Sequence, residues 1–129
     1  MNRLVVVILI IFSLNIVQLK IIDSFYYFIE DSYSELHIAE NKIYFINDFF
    51  GIEIYDYSFC DDSIKLFRGD KLTKVINIIK HDDGFILEEG IYKFNLYRID
   101  KLEEVENYEK LYQDYLKREE LIKVGQKDI

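Results

Sequence analysis

Between residues 36 and 99 apolar and polar positions fall into seven short runs: 36–39, 42–47, 51–57, 64–68, 72–80, 85–88 and 91–99. Each is rich in Ile, Tyr, Phe, Leu or Val, and several alternate with the two-residue period of a half-buried strand. Ile52, Ile54 and Asp56 share one face of the third run, and Glu53, Tyr55 and Tyr57 share the other. The breaks are turn-like. Glu40-Asn41 and Asp82-Asp83-Gly84 each separate two runs, and Gly51, Gly69 and Gly90 also fall between them. Connections this short predict antiparallel neighbours, so a mainly β domain of antiparallel meanders is expected over 36–99.

The two ends of the chain break this period. Arg3 is followed by sixteen residues without a charge, Leu4 to Leu19, and then by Lys20-Ile21-Ile22. Nine unbroken apolar residues, Leu4 to Phe12, exceed a usual buried strand, so residues 1–22 read as a hydrophobic signal or anchor helix. No Ala-x-Ala-like cleavage site follows it. Lys20 can snorkel and let Ile21 and Ile22 extend the span, which favours an uncleaved membrane anchor over 4–22. The rest of the chain is then placed outside the cytoplasm, in a single-pass membrane protein or, if the signal is cleaved, a secreted one. Residues 23–35 are an aromatic and acidic juxtamembrane segment. At the other end Asp100 offers an N-cap with Glu103 three residues on. Leu102, Val105, Tyr108, Tyr112, Tyr115 and Leu116 then share one face of an amphipathic helix expected over 100–125, stopped at Gly125 and leaving a 126–129 tail.

Composition narrows the functions. Net charge is −8, and segment 21–63 carries ten acids against Lys42 alone. Phosphate binding needs clustered Lys and Arg, so no nucleic-acid partner is expected. Cys60 is the single cysteine, which excludes an intrachain disulfide.

The halves of the strand region are alike: LHIAENKIYFINDFFGIEIYD is followed by VINIIKHDDGFILEEGIYKFNLY. Gly51-Ile52-Glu53-Ile54-Tyr55-Asp56, with the preceding KIYFIND, resembles the LVIVD repeat, a blade motif of secreted bacterial β-propellers. The resemblance implies two propeller-like blades and a surface or exported binding scaffold without a known catalytic site. Two blades cannot close a propeller. An outer strand such as uncharged Ile43–Ile46 is therefore expected to seek a protein partner or a second copy of the chain through a sheet edge.

Candidate chemistry is sparse. His37 and His81 stand far apart with no Cys or His motif around them, so neither metal nor cofactor is expected. No nucleophile motif surrounds Ser58 or Ser63. Binding residues are the better candidates: Phe49 and Phe50 at a loop tip, Tyr55 and Tyr57 on one strand face, and the helical stripe Tyr108, Tyr112 and Tyr115. Their ordinary alternative is that they close the small core. The function expected is a non-catalytic interaction module. The alternatives are a small extracytoplasmic hydrolase using His81 with Asp82 or Asp83, and a passive remnant of a larger propeller. The address is directly testable: the full-length chain should fractionate with membranes, and protease added from outside the cytoplasm should reach its C-terminus. Recovery as soluble cytosolic protein would overturn that expectation.

Overall fold

The computed structural model describes residues 19–100 and 104–127, so the expected anchor lies outside the described residues up to position 18. Nine strands and one helix follow: β1 (Leu19–Ile29), β2 (Ser32–Ala39), β3 (Lys42–Asn47), β4 (Gly51–Cys60), β5 (Ser63–Arg68), β6 (Lys71–His81), β7 (Gly84–Glu89), β8 (Tyr92–Arg98), β9 (Glu104–Val105) and α1 (Tyr108–Lys127). Among the described residues no helix is long and apolar enough to cross a membrane.

Each strand from β1 to β8 pairs antiparallel with its successor, and β8 returns to β1 at Phe25↔Arg98 and Tyr26↔Tyr97. The result is a closed eight-stranded up-and-down barrel. It is not two propeller blades. The two halves of the repeat are the meanders β2–β3–β4 and β6–β7–β8, joined through β5 into one sheet. The reason is connection length: six of the seven hairpin loops have two residues and the β3–β4 loop has three, so each strand must lie beside the next. Asp61 and Asp82 open two of these loops at φ 54° and 51°, a left-handed conformation that Asp tolerates better than most residues. The eighth strand comes from β1. Residues 19–35, expected as the end of the anchor and a juxtamembrane segment, form β1 and the start of β2. β3 pairs with β2 on one side and β4 on the other, so its Ile43–Ile46 run is not an edge, and closure leaves no outer strand among β1 to β8.

Alternation then builds two cores. Inside the barrel lie Phe25, Tyr27, Leu36, Ile43, Phe45, Tyr55, Ile64, Leu66, Ile76, Leu87 and Leu96. Outside, under the helix, lie Tyr33, Ala39, Tyr44, Ile46, Val105, Leu111 and Tyr115. The helix starts at Tyr108 rather than near Asp100. Asn107 caps it, its Oδ1 accepting from the Lys110 amide at 2.9 Å, while Val105 extends the start of β1 as a strand, at Leu19↔Val105. The helix also runs through Gly125 to Lys127. Along it Glu119 and Lys123 pair at 3.6 Å and Lys110 pairs with Asp114, while Arg118 turns to the barrel.

Leu36 is fully buried in the inner core, and Ile91 stands almost free in the β7–β8 loop. Leu36→Ala should therefore lower unfolding free energy by about 2–5 kcal/mol, and Ile91→Ala by no more than about 0.5 kcal/mol. Chemical denaturation of the two variants measures the contrast.

Candidate functional site: the mouth of the barrel

The two ends of the barrel interior differ. At the end bearing the Asp48–Phe50, Gly69-Asp70 and Gly90-Ile91 loops, polar side chains point inward and pair. The Tyr55 hydroxyl donates to Glu53 Oε2 at 2.8 Å, and Arg68 donates to the same carboxylate. The Arg68 guanidinium sits 4.8 Å from the Tyr55 ring centre. Lys74 Nζ lies 3.3 Å from Glu89 Oε1 and 5.0 Å from the centre of the Phe45 ring. These contacts, ionic and cation–π, plug that end.

The opposite end is open. A cavity of about 730 Å³ is lined by Phe25, Ile38, Ile64, Ile78 and Phe85 below, with Phe59, Asp61 and Asp62 of the β4–β5 hairpin and Asp23 of β1 at the rim. Ile38, Ile78 and Phe85 are only partly buried because they face this space. Two pairs stiffen the rim. Arg98 Nε lies 3.2 Å from Asp23 Oδ1, with its guanidinium 5.0 Å from the Phe85 ring centre. Asn77, with its carboxamide nitrogen turned to the β4–β5 loop, donates to the Asp62 carbonyl at 3.1 Å and to Ser63 Oγ at 3.0 Å. An eight-stranded barrel is just wide enough to be filled by side chains or to hold one small ligand. This one is filled at one end and hollow at the other.

A second polar assembly lies under the helix. Glu35 and His37 are adjacent outward-facing residues of β2, and His37 pairs in register with Ser24 of β1. Arg118 of α1 grips Glu35 with two hydrogen bonds, Nε to Oε2 at 2.8 Å and Nη2 to Oε1 at 2.7 Å. The Tyr33 hydroxyl donates to the same carboxylate. His37 Nε2 lies 2.8 Å from Glu35 Oε1, and Ser24 Oγ lies 2.7 Å from Nδ1. Burial would raise the Glu35 pKa, but the Arg118 and His37 hydrogen bonds overcome it and hold the carboxyl at about 2. Burial lowers the His37 pKa, so the ring is neutral at pH 7. A neutral ring beside a carboxylate must carry its proton on Nε2, which leaves Nδ1 to accept from the Ser24 hydroxyl.

Serine, imidazole and carboxylate thus form a relay of the polarity used by serine hydrolases. It cannot act as one here. Ser24 is 2% exposed and His37 and Glu35 are 0% exposed, so no substrate carbonyl can approach the hydroxyl. The relay ties the helix to the barrel. The same helix adds a third polar contact, where the Tyr115 hydroxyl donates to Asp48 Oδ1 at 2.8 Å and lies 3.1 Å from Glu119 Oε2. Burial and the neighbouring Asp48 raise the Glu119 pKa. Glu119 is itself buried.

The residues expected to bind are scattered. Phe49 is 79% exposed on the β3–β4 loop beside the half-exposed Phe50, both at the plugged end, where their amides donate to Asn47 Oδ1. Tyr55 is buried inside the barrel, and the Tyr57 hydroxyl donates to the Ala39 carbonyl at 2.8 Å. Tyr108 is exposed at the start of α1, Tyr112 packs against the outer core and Tyr115 is buried in it. His81 and Asp82 lie 3.5 Å apart on the exposed β6–β7 hairpin, and Asp83 shares that loop. Cys60 is exposed beside the β4–β5 loop. Among the described residues no cluster of three or more His, Cys, Asp or Glu could hold a metal. The cavity residues escape a reading of the sequence, because strand ends become a mouth only when the sheet closes. No family model, curated protein or solved structure matches the chain.

The Glu35 assembly makes stability pH-dependent in a defined direction. The unfolded chain protonates His37 below about 6.5 while the folded chain resists, so stability falls as pH drops through that range. Glu35 contributes stability that is complete above about 4.5 and lost as pH falls from there towards 2. Denaturation between pH 7 and 3 should show both legs, and His37→Gln should flatten the upper one alone. Arg118→Met strands the Glu35 charge and should cost about 3–5 kcal/mol at pH 7.

Proposed function

We propose that this chain is a non-catalytic binding barrel whose ligand site is the open mouth, presented at a membrane or outside the cell by the N-terminal hydrophobic segment. The observation that carries the reading is the one-ended interior: paired charges fill the far end, and an apolar cavity of about 730 Å³ opens at the other. Largely apolar concave sites of this size are where small molecules bind. The position of β1 supports the address. Its first residues, Leu19 to Asp23, run along the mouth end, pairing Ile21 with Ala39 and placing Asp23 on the cavity rim. If residues 4–22 begin in a bilayer, the mouth stands close to that surface. The hydrolase reading has the weaker footing: His81 and Asp83 line a separate hollow of about 570 Å³, but the ion-pair partner of His81 among the described residues is its exposed neighbour Asp82.

The cavity's isoleucines supply the test. Ile38, Ile64 and Ile78 line it, whereas Ile46 and Ile54 lie in or against the outer core. In methyl spectra of the isoleucine-labelled full chain, cyclohexanol should shift the first set saturably and leave the second in place. Ile78→Trp, which fills the space, should abolish the shifts while preserving the spectrum of the outer core. Absence of any saturable shift in the wild-type chain would overturn the proposal.

A further inference from the structure

The charges at the mouth indicate which head group a ligand carries, an inference that rests on the cavity being a binding site. Four charged side chains stand around it: Asp23, Asp61 and Asp62 on the rim, and Arg98 at its edge. Arg98 is committed. It is held at 3.2 Å to Asp23 and lies over the Phe25 and Phe85 rings at 5.8 and 5.0 Å from their centres, so its charge is already matched. Asp61 and Asp62 have no ion pair among the described residues. The Asn77 carboxamide, donating to the Asp62 carbonyl and to Ser63 Oγ, fixes the backbone that carries them. Below them the wall is hydrocarbon and aromatic ring. An anion entering this space would meet two unmatched carboxylates at the rim, whereas a cation would meet two partners.

We infer that the mouth selects a small amphiphile with an apolar body and a cationic amine head, the body seated on Phe25, Ile38, Ile64, Ile78 and Phe85 and the ammonium held by Asp61 and Asp62.

Three probes with one body separate head from body: cyclohexylammonium, cyclohexanol and cyclohexanecarboxylate, each titrated into the full chain and read on the Ile38, Ile64 and Ile78 methyls. The ammonium should bind at least about tenfold more tightly than the carboxylate, with the alcohol between them. The double variant D61N/D62N should bring the three affinities together without weakening cyclohexanol. Asn suits the turn, including the left-handed conformation at position 61, so the variant keeps the fold. Raising salt should shrink the wild-type preference. Saturable binding of all three with equal affinity, or a preference that survives D61N/D62N, would overturn the cationic class and leave the binding barrel standing. Saturable binding by none of the three would overturn both.

Discussion

A sheet of eight strands keeps two raw edges unless its first strand meets its last, and here the meeting is made by β1. That strand pairs with β2 from Ile21↔Ala39 to Ile29↔Ser32, and on its other side with β8 at Phe25↔Arg98 and Tyr26↔Tyr97. A further backbone bond, from the Ile99 amide to the Ser24 carbonyl at 2.8 Å, extends the seam. Everything else follows from that closure. Only a closed sheet has an inside, so only after closure do Phe25, Leu36 and Phe45, aligned across β1, β2 and β3, face the opposite wall of the barrel. Closure also removes the raw edges that β1 and β8 would otherwise present.

The outer face of β1 to β4 is the second consequence. It is as apolar as the inside, and α1 covers it through Leu111 and Tyr115. Greasy packing alone would allow the helix to slide. The Arg118–Glu35 fork gives it one register, because a planar guanidinium meets a carboxylate in few geometries. Burying that carboxylate is expensive, and His37 and Tyr33 together with Arg118 saturate it. A Ser–His–Glu relay therefore arises here as a by-product of satisfying one buried charge. Accessibility, rather than connectivity, separates it from a catalytic triad.

Strands β2 to β8 and their turns were legible in the sequence because short runs rich in Ile, Tyr, Phe, Leu and Val are separated by loops of two or three residues built largely from acids, Asn and Gly. β1 was not. Its run Phe25-Tyr26-Tyr27-Phe28 shows no alternation, since Phe25 and Tyr27 enter the inner core while Tyr26 and Phe28 enter the outer one. Beside an apolar N-terminus, such a run looks like a membrane-interface belt. The missing strand turned a closed barrel into two open meanders, and the resemblance to propeller blades followed from that. The Glu35 assembly stayed hidden for a related reason: Glu35 fell in the segment read as juxtamembrane, His37 stood without a Cys or His motif, and their partners Ser24 and Arg118 lie 13 and 83 residues away in sequence.

The asymmetry of the barrel interior is what supports the proposed binding role. At one end Glu53, Arg68, Lys74 and Glu89 turn toward the interior and pair with one another while staying partly exposed, so the pairing costs little desolvation. Apolar residues there would stabilise the barrel more simply. Paired charges do something that grease does not: they stop one end with groups that bond to one another and leave the apolar surface concentrated at the other. At that other end Ile38, Ile78 and Phe85 remain partly uncovered, and surface of that kind favours whatever removes it from water. A barrel selected for stability alone would fill its mouth with larger side chains from strands that already point there. Here the rim carries the Asn77 and Arg98 contacts, and its Asp61 and Asp62 have no ionic partners among the described residues.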